Sequence, residues 1–366
     1  MRNFITLIIF LSSQNLFAQY GKPELIARFS DVEAWNAPNN SWCFSGEPSA
    51  VGGKVYLQCF DYEGTSMMEF RKGSYQHFVR AKEGHMFSHP LIINGVPTWY
   101  ESNEYSVVEA YEGKNPVGIK RLNPESFGTD SFTRYGNKWL YRYKGDYPEL
   151  WSWDNQEMKI LFNEKVSFIF SPYGNSMGEI AIKTREVNYS ESSPDKIWHF
   201  DGVKWKVILE DKDSNPASPW KGFRNQLALG EGYVLAIAQD SSSEVLLKIQ
   251  NGNAEIIARA GVDVKSFDYF SPKAHGNTIV FRGEDFNRKK SVYFHNGKEI
   301  QKLITQDEIV LTDKGAGRVN YKNQDAIFYG APGFDEKGNI YLQATLVDDS
   351  NPNTLLGIGL IKFERE

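Results

Sequence analysis

Aromatic and arginine side chains in three long, turn-rich stretches are the first candidates for chemistry: Trp35, then Trp220 with Arg224, then Arg318 with Tyr321. A flat aromatic face stacks on a sugar ring or a peptide group, and a guanidinium holds a carboxylate through two parallel hydrogen bonds. The same side chains also pack a loop onto its own scaffold, so the reading from residue type alone stays open. Carboxylates gather in short turns as well, at Asp61 and Glu63, Glu101 and Glu104, Glu186 and Glu191, Asp240 and Glu244, Glu284 and Asp285, and Asp348 and Asp349. Such a rim attracts cations or a basic partner, or is simply solvated surface. A glycosidase needs two carboxylates at a set separation, and spacing along the chain selects no pair.

Metal chemistry finds little support. Asp211-Lys-Asp213-Ser-Asn215 begins like a calcium loop, but Pro216 stands where that loop needs glycine and Gly222 where it needs glutamate. The histidines are His77, His85, His89, His199, His275 and His295, with no helical pair at metalloprotease spacing. His199 and His295 fall in or at the end of hairpin strands and read as structural; His85 and His89, near a connection between repeats, are more open to a role. No nucleophile elbow, phosphate loop or dinucleotide fingerprint is present, and Thr133-Arg-Tyr-Gly136-Asn-Lys-Trp139 carries only half of a sialidase-type aspartate box. No metal and no cofactor is expected.

The chain has 366 residues, 41% of them hydrophobic, 14% aromatic and 24% charged, which suits a large folded core. Its formal charge of −5 lacks the basic footprint that a phosphate backbone requires, so nucleic acid is excluded as an expected partner. Residues 1–18, with Arg2, an apolar run from Phe4 to Leu11 and Ala18 at the end, read as a cleaved secretory signal peptide. No later segment approaches the ~18 apolar residues of a membrane span, so no membrane insertion is expected. The destination is then periplasmic or extracellular, where Cys43 and Cys59 are expected to pair as a disulfide across a hairpin turning at Val51-Gly52-Gly53. Two inert buried thiols are the alternative.

A repeat supplies the elements that must position these residues. Glycine followed by a strand-like apolar phrase recurs at Gly53, Gly95, Gly136, Gly178, Gly232, Gly276 and Gly338, about every fifty residues, the period of propeller blades. Upstream lies an aromatic-to-proline phrase, as in Phe44-Ser-Gly-Glu-Pro48, Phe87-Ser-His-Pro90, Phe170-Ser-Pro172, Phe270-Ser-Pro272 and Phe328-Tyr-Gly-Ala-Pro332, which reads as a strand ending at a turn because proline lacks a ladder donor. Downstream come an apolar-aromatic strand, a turn such as Asp201-Gly202, Asn251-Gly252 or Asn296-Gly297, and a last strand. The seventh unit ends without its fourth strand, and Glu24-Leu-Ile-Ala-Arg28 closely matches Glu255-Ile-Ile-Ala-Arg259, the fourth strand of the fifth unit.

These features predict an all-β, seven-bladed β-propeller of four-stranded antiparallel blades, closed by the N-terminal strand completing the last blade. Its single domain is expected over 19–366, with blades near 42–80, 86–121, 127–162, 167–209, 223–260, 266–304 and 325–366 plus 23–29. Asp335-Glu-Lys-Gly338-Asn-Ile-Tyr-Leu-Gln-Ala344 resembles the blade pattern Asn-x-x-Gly-x-x-Ala-Phe-x-Ala of bacterial tandem-repeat propellers, a likeness that implies a fold and no reaction. Connections between blades share one face with the loops between second and third strands, and the three long ones carry the aromatic and arginine candidates. The expectation is therefore a monomeric, non-catalytic binding or scaffold propeller whose long-loop face meets a glycan, a peptide or an envelope protein. A glycan-active hydrolase or lyase is the alternative, and it gains if two carboxylates, or a histidine and a tyrosine, converge in a pocket floored by first strands.

Overall fold

Each repeat glycine turns the chain from the first strand of a blade into the second, at positive φ that other residues rarely adopt; Gly53 sits at 73° and Gly276 at 55°. The turn from third to fourth strand uses the same chemistry, with Asn251 at φ 52° followed by Gly252 at φ 80°. The computed structural model describes residues 19–29, 47–61, 64–103, 107–119, 129–144, 147–154, 156–186, 193–320 and 327–366. Residues 1–18 of the expected signal peptide lie outside them, as do Trp35, Cys43 and Tyr321. Cys59, the other half of the expected disulfide, is fully buried in the second strand of blade 1. Among the described residues there is no helix, and strands form seven antiparallel sheets.

The sheets are the blades of a seven-bladed propeller. Blade 5 is the simplest, with Gly222–Leu229, Val234–Gln239, Glu244–Gln250 and Asn253–Arg259 paired in sequence order. Blade 7 takes Phe328–Phe334, Ile340–Asp348 and Leu355–Phe363 from the end of the chain and Glu24–Phe29 from its start, with Glu24 opposite Lys362 and Arg28 opposite Gly359. Ile26 and Ala27 of this closing strand are buried with Leu57, Met68, Phe70, Tyr341 and Leu360, between blades 7 and 1. Burying a side chain such as Ile26 is worth about 1.5–3 kcal/mol, in addition to the ladder it completes.

Apolar packing is divided among the junctions between blades. Trp99 and Tyr111 pack with Tyr56 and Met67 between blades 1 and 2, and Phe132, Trp139 and Tyr141 with Val107 and Ala110 between blades 2 and 3. Aliphatic side chains dominate later, as with Leu235, Ile237 and Leu246 against Val264 and Ile279 between blades 5 and 6. Much of the aromatic content is thus blade packing.

The proline phrases behave differently from the expected strand ends. In blades 2, 4 and 6 the proline interrupts the first strand, and both pieces pair with the same second strand: Met86–Phe87 and Leu91–Ile93, Phe168–Ile169 and Tyr173–Gly174, Ser266–Phe267 and Lys273–His275. The missing N–H makes an internal bulge there in place of a turn. The carbonyl just before each interruption is captured by a long side chain of the preceding blade. Gln58 Nε2 reaches Phe87 O at 2.5 Å, Arg142 reaches Ile169 O, and Arg224 Nη1 reaches Asp268 O at 2.5 Å. The bulged first strands of blades 5 and 7 are held likewise, by Lys183 Nζ on Phe223 O at 2.7 Å and Arg282 Nη1 on Gly330 O at 2.6 Å.

One long connection also differs from expectation. Residues 309–319 form a hairpin, Ile309–Thr312 with Gly315–Val319, that extends blade 7 by pairing Gly317 with Asp348 and Val319 with Leu346. Arg28 Nε lies 2.9 Å from Asp313 Oδ1, tying the closing strand to this hairpin.

Candidate functional site

First strands line the central channel, and their approach is close enough to dictate residue type. A Cβ on Gly333 would fall 1.9 Å from Pro48 O, and one on Gly174 would fall 2.5 Å from Arg134 O. Only glycine fits where adjacent inner strands meet in this way. Between the strands a cavity of about 550 Å³ opens among the first-to-second strand turns, which bring Val51, Asn94, Met177, Glu231, Gly276 and Glu336 to its edge.

Inside it, Lys273 Nζ of blade 6 lies 2.6 Å from Glu47 Oε2 of blade 1, a pair 226 residues apart in sequence. Both side chains keep about a quarter of their surface exposed, to the channel. Burial disfavours the Glu47 carboxylate, but the Lys273 ammonium and the His89 ring outweigh it and hold its pKa below the ordinary range. Burial likewise opposes the Lys273 charge, and Glu47 overcomes it, so the Lys273 pKa is raised. His89 is pushed down by burial, with Glu47 opposing, and is neutral at pH 7. Burial raises the Tyr173 phenol, whose Oη lies 3.4 Å from Ser271 Oγ. The channel therefore presents an ion pair, a neutral imidazole and a protonated phenol.

A smaller cavity of about 190 Å³ continues from this group toward blades 2 and 3. It shares Glu47, Tyr173 and Lys273 with the larger one and adds His89, Trp99, Arg134 and Trp139. A histidine and a tyrosine thus line one pocket floored by first strands.

The long-loop face has different contents. Trp220 is only 9% exposed and packs with Ile197, Phe223 and Leu247 in the core between blades 4 and 5. Its loop is pinned by Ser218 Oγ on Glu210 O at 2.5 Å and Lys212 N on Trp220 O at 2.7 Å. Arg224 grips both oxygens of Glu244, at 2.7 and 2.5 Å, besides the bulge carbonyls of blade 6. Arg318 donates to Asp307 O at 2.8 Å and to Asp349 Oδ1. The two-point grip expected of arginine is realised on the chain's own carboxylates.

Glu63, Glu104 and Glu191 lie outside the described residues, and acidic turns among the described ones are similarly engaged. Asp240 caps the N–H groups of Ser242 and Ser243 and pairs with Arg259; Asp285 caps Asn287 and Lys289 and pairs with Lys302. Glu284 pairs with Lys265, and buried Glu101 accepts from Tyr111 Oη at 2.7 Å and contacts His85 Nδ1 at 2.6 Å. A cavity of about 300 Å³ between blades 4 and 5 is lined by Arg185, Asp195, Asp211 and Arg224. Asp195 is held by Lys183 at 2.7 Å and Arg185 at 2.6 Å, and Asp211 accepts from Asp195 N at 2.9 Å. His199 and His295 lie in strands, as expected, with His199 Nε2 3.4 Å from Glu179 Oε1. Among the described residues no group of three His, Cys, Asp or Glu side chains is arranged to hold a metal ion.

No protein-family model matches the sequence, and no curated protein matches it as a relative. Solved structures do resemble the fold. An oligogalacturonate lyase in complex with manganese aligns over 96% of this chain and 98% of that chain, at 9% identity and a TM-score of 0.59. A prolyl endopeptidase aligns over 88% of this chain and 50% of that one, at 8% identity and a TM-score of 0.52. The β-propeller domain of the Trilobed protease from Pyrococcus furiosus aligns over 79% and 98%, at 14% identity and a TM-score of 0.49. At these identities the likeness is one of architecture, and what it and the strand pairing establish together is that the chain is a seven-bladed β-propeller.

Proposed function

We propose that the chain is an exported, non-catalytic binding propeller that takes a glycan or peptide into its central channel from the turn face. The observation that carries this reading is the Glu47 to Lys273 pair, a charged couple that joins blades 1 and 6 past the intervening blade 7 and is kept accessible to a cavity of about 550 Å³. Concave sites with a few convergent polar groups are where ligands are held. The long-loop face supports the reading less well, because its arginines and carboxylates already satisfy one another.

The test is a binding panel of defined oligosaccharides and peptides against the purified chain. Capture lost in Glu47→Gln and Lys273→Met, and kept in Arg318→Ala, is the expected result. Capture that survives both channel variants and disappears with Arg318→Ala would return the site to the long-loop face. His89 and Tyr173 in one cavity favour a second reading, a glycan-active hydrolase or lyase. Turnover of any panel member, abolished by His89→Gln and by Tyr173→Phe, would replace the binding function with that one.

A further inference from the structure

We propose that Lys183 and Asn225 react to form an intramolecular isopeptide bond, with Asp195 as the proton carrier, so that blades 4 and 5 are stapled covalently. The three side chains meet at one point. Lys183 stands on the second strand of blade 4, Ile180–Arg185, and Asp195 opens its third, Asp195–Phe200, while Asn225 lies in the bulge of the first strand of blade 5. Lys183 Nζ lies 2.7 Å from Asp195 Oδ2 and 3.0 Å from Asn225 Oδ1, so the amine already touches the amide whose carbon it would attack. Holding the reacting groups in contact is what makes an intramolecular attack efficient.

The surroundings favour the neutral amine. The Lys183 and Asp195 side chains are 1% and 3% exposed, and the Phe170 ring covers Nζ at 4.6 Å. Burial pushes the Lys183 pKa down and outweighs the opposing pull of Asp195, with Arg185 adding to the depression. A desolvated lysine beside another cation is an activated nucleophile. Residue type also sets this junction apart. The other side chains that reach from a second strand to a bulge carbonyl of the next blade are Gln58, Arg142 and Arg282, and none of them offers a nucleophilic amine. Asn225 is exposed and makes no other side-chain hydrogen bond among the described residues, so it can turn its carbon toward Nζ and its nitrogen has a way out.

The step balances without a co-reactant. Asp195 takes one proton from the ammonium, the freed lone pair of Nζ adds to Asn225 Cγ, and a second Nζ proton leaves through the same carboxylate. Both protons pass to Nδ2 as the Cγ–Nδ2 bond breaks, so that ammonium departs, an amide joins Nζ to Cγ, and Asp195 is ionised again. Arg185 grips Asp195 at 2.6 and 2.8 Å and holds the carboxylate in place against Nζ.

The experiment is a tryptic digest of the purified chain read by mass spectrometry. Trypsin does not cut at a bonded lysine, so residues 166–185 and 225–248 are expected as one branched peptide, lighter than the two together by about 17 Da, the mass of ammonia. Separate peptides 166–183 and 225–248 as the main products would overturn the proposal. The branched peptide is the readout because an N-terminal glutamine also sheds ammonia and mimics the change in intact mass. Asp195→Asn should cut the yield of branched peptide by about tenfold or more, and its persistence there would remove Asp195 as the proton carrier. Asn225→Ala should abolish it and lower the melting temperature by about 5 °C or more, and an unchanged transition would refute the stapling of the two blades. Should Asp195→Asn fail to fold, Asn225→Ala alters an exposed side chain, and the wild-type digest decides by itself.

Discussion

The two faces of the ring draw on the same residue types and use them for opposite ends. On the long-loop face, arginine meets carboxylate within the chain: Arg224 on Glu244, Arg259 on Asp240, Arg318 on Asp349. The first two pairs lie within blade 5 and the third ties a long connection to blade 7, and each consumes the groups that a ligand would need. On the turn face the loops are short, and charge enters from the inner strands, where Glu47 and Lys273 meet inside a cavity. Long loops in this protein mark where the scaffold needs fastening, and the regular part of the repeat makes the opening.

The comparison can be broken most severely by removing what both faces stand on. Deleting Pro23 to Phe29 takes away the fourth strand of blade 7, and its melting temperature should drop by more than about 10 °C or lose a single transition. A thermal scan matching wild type would show that the strand does not close the ring. Next in size is Trp220→Ala, which removes a buried indole from the junction of blades 4 and 5 and should cost about 3–5 kcal/mol in urea unfolding. A cost below about 1 kcal/mol would return Trp220 to the surface candidates.

Acid gives a smaller effect that separates the faces again. His89 and His275, both at the channel, and His295 are each held below the ordinary histidine value, chiefly by burial. Their contribution to stability is present above about pH 6.5 and is lost as pH falls from there toward the depressed folded values. Unfolding midpoints should decline between pH 7 and pH 5, less steeply in His89→Gln, and a parallel decline in that variant would exclude His89 as a source. Smallest of all, Arg318→Ala breaks a half-exposed pair and should change stability by less than about 1 kcal/mol.

The blades were legible because their signals are local: a glycine at positive φ, a hairpin dipeptide and an apolar phrase recur within each unit. The complementary ends, Glu24-Leu-Ile-Ala-Arg28 and the incomplete seventh unit, also announced closure. The channel was not legible in the same way, because Glu47 and Lys273 become neighbours only when ring closure brings blade 1 round to blades 7 and 6. A signal for it did exist. Glu47 precedes Pro48, His89 precedes Pro90, Tyr173 follows Pro172 and Lys273 follows Pro272. Reading those prolines as strand ends hid this, whereas a bulge in an inner strand turns its flanking side chains toward the axis. The tryptophans illustrate the opposite limit, since Trp99 and Trp220 are both buried and only neighbours fixed by the fold show which blades each one joins.

The closing strand also decides how this ring can be attached to anything else. Glu366 N donates to Gln19 O at 3.0 Å, and Tyr20 Oη to Gly338 O at 2.9 Å in the first-to-second strand turn of blade 7. Both ends of the described chain therefore leave the ring together, on the turn face. A linker or fused module at either end would sit on the side of the channel mouth, leaving the long-loop face outward. Immobilisation through one of the termini would crowd entry, whereas a handle placed in the hairpin of residues 309–319 would leave it clear. The same proximity makes the ring suited to circular permutation, with a short bridge joining the old ends and new ones opened between blades.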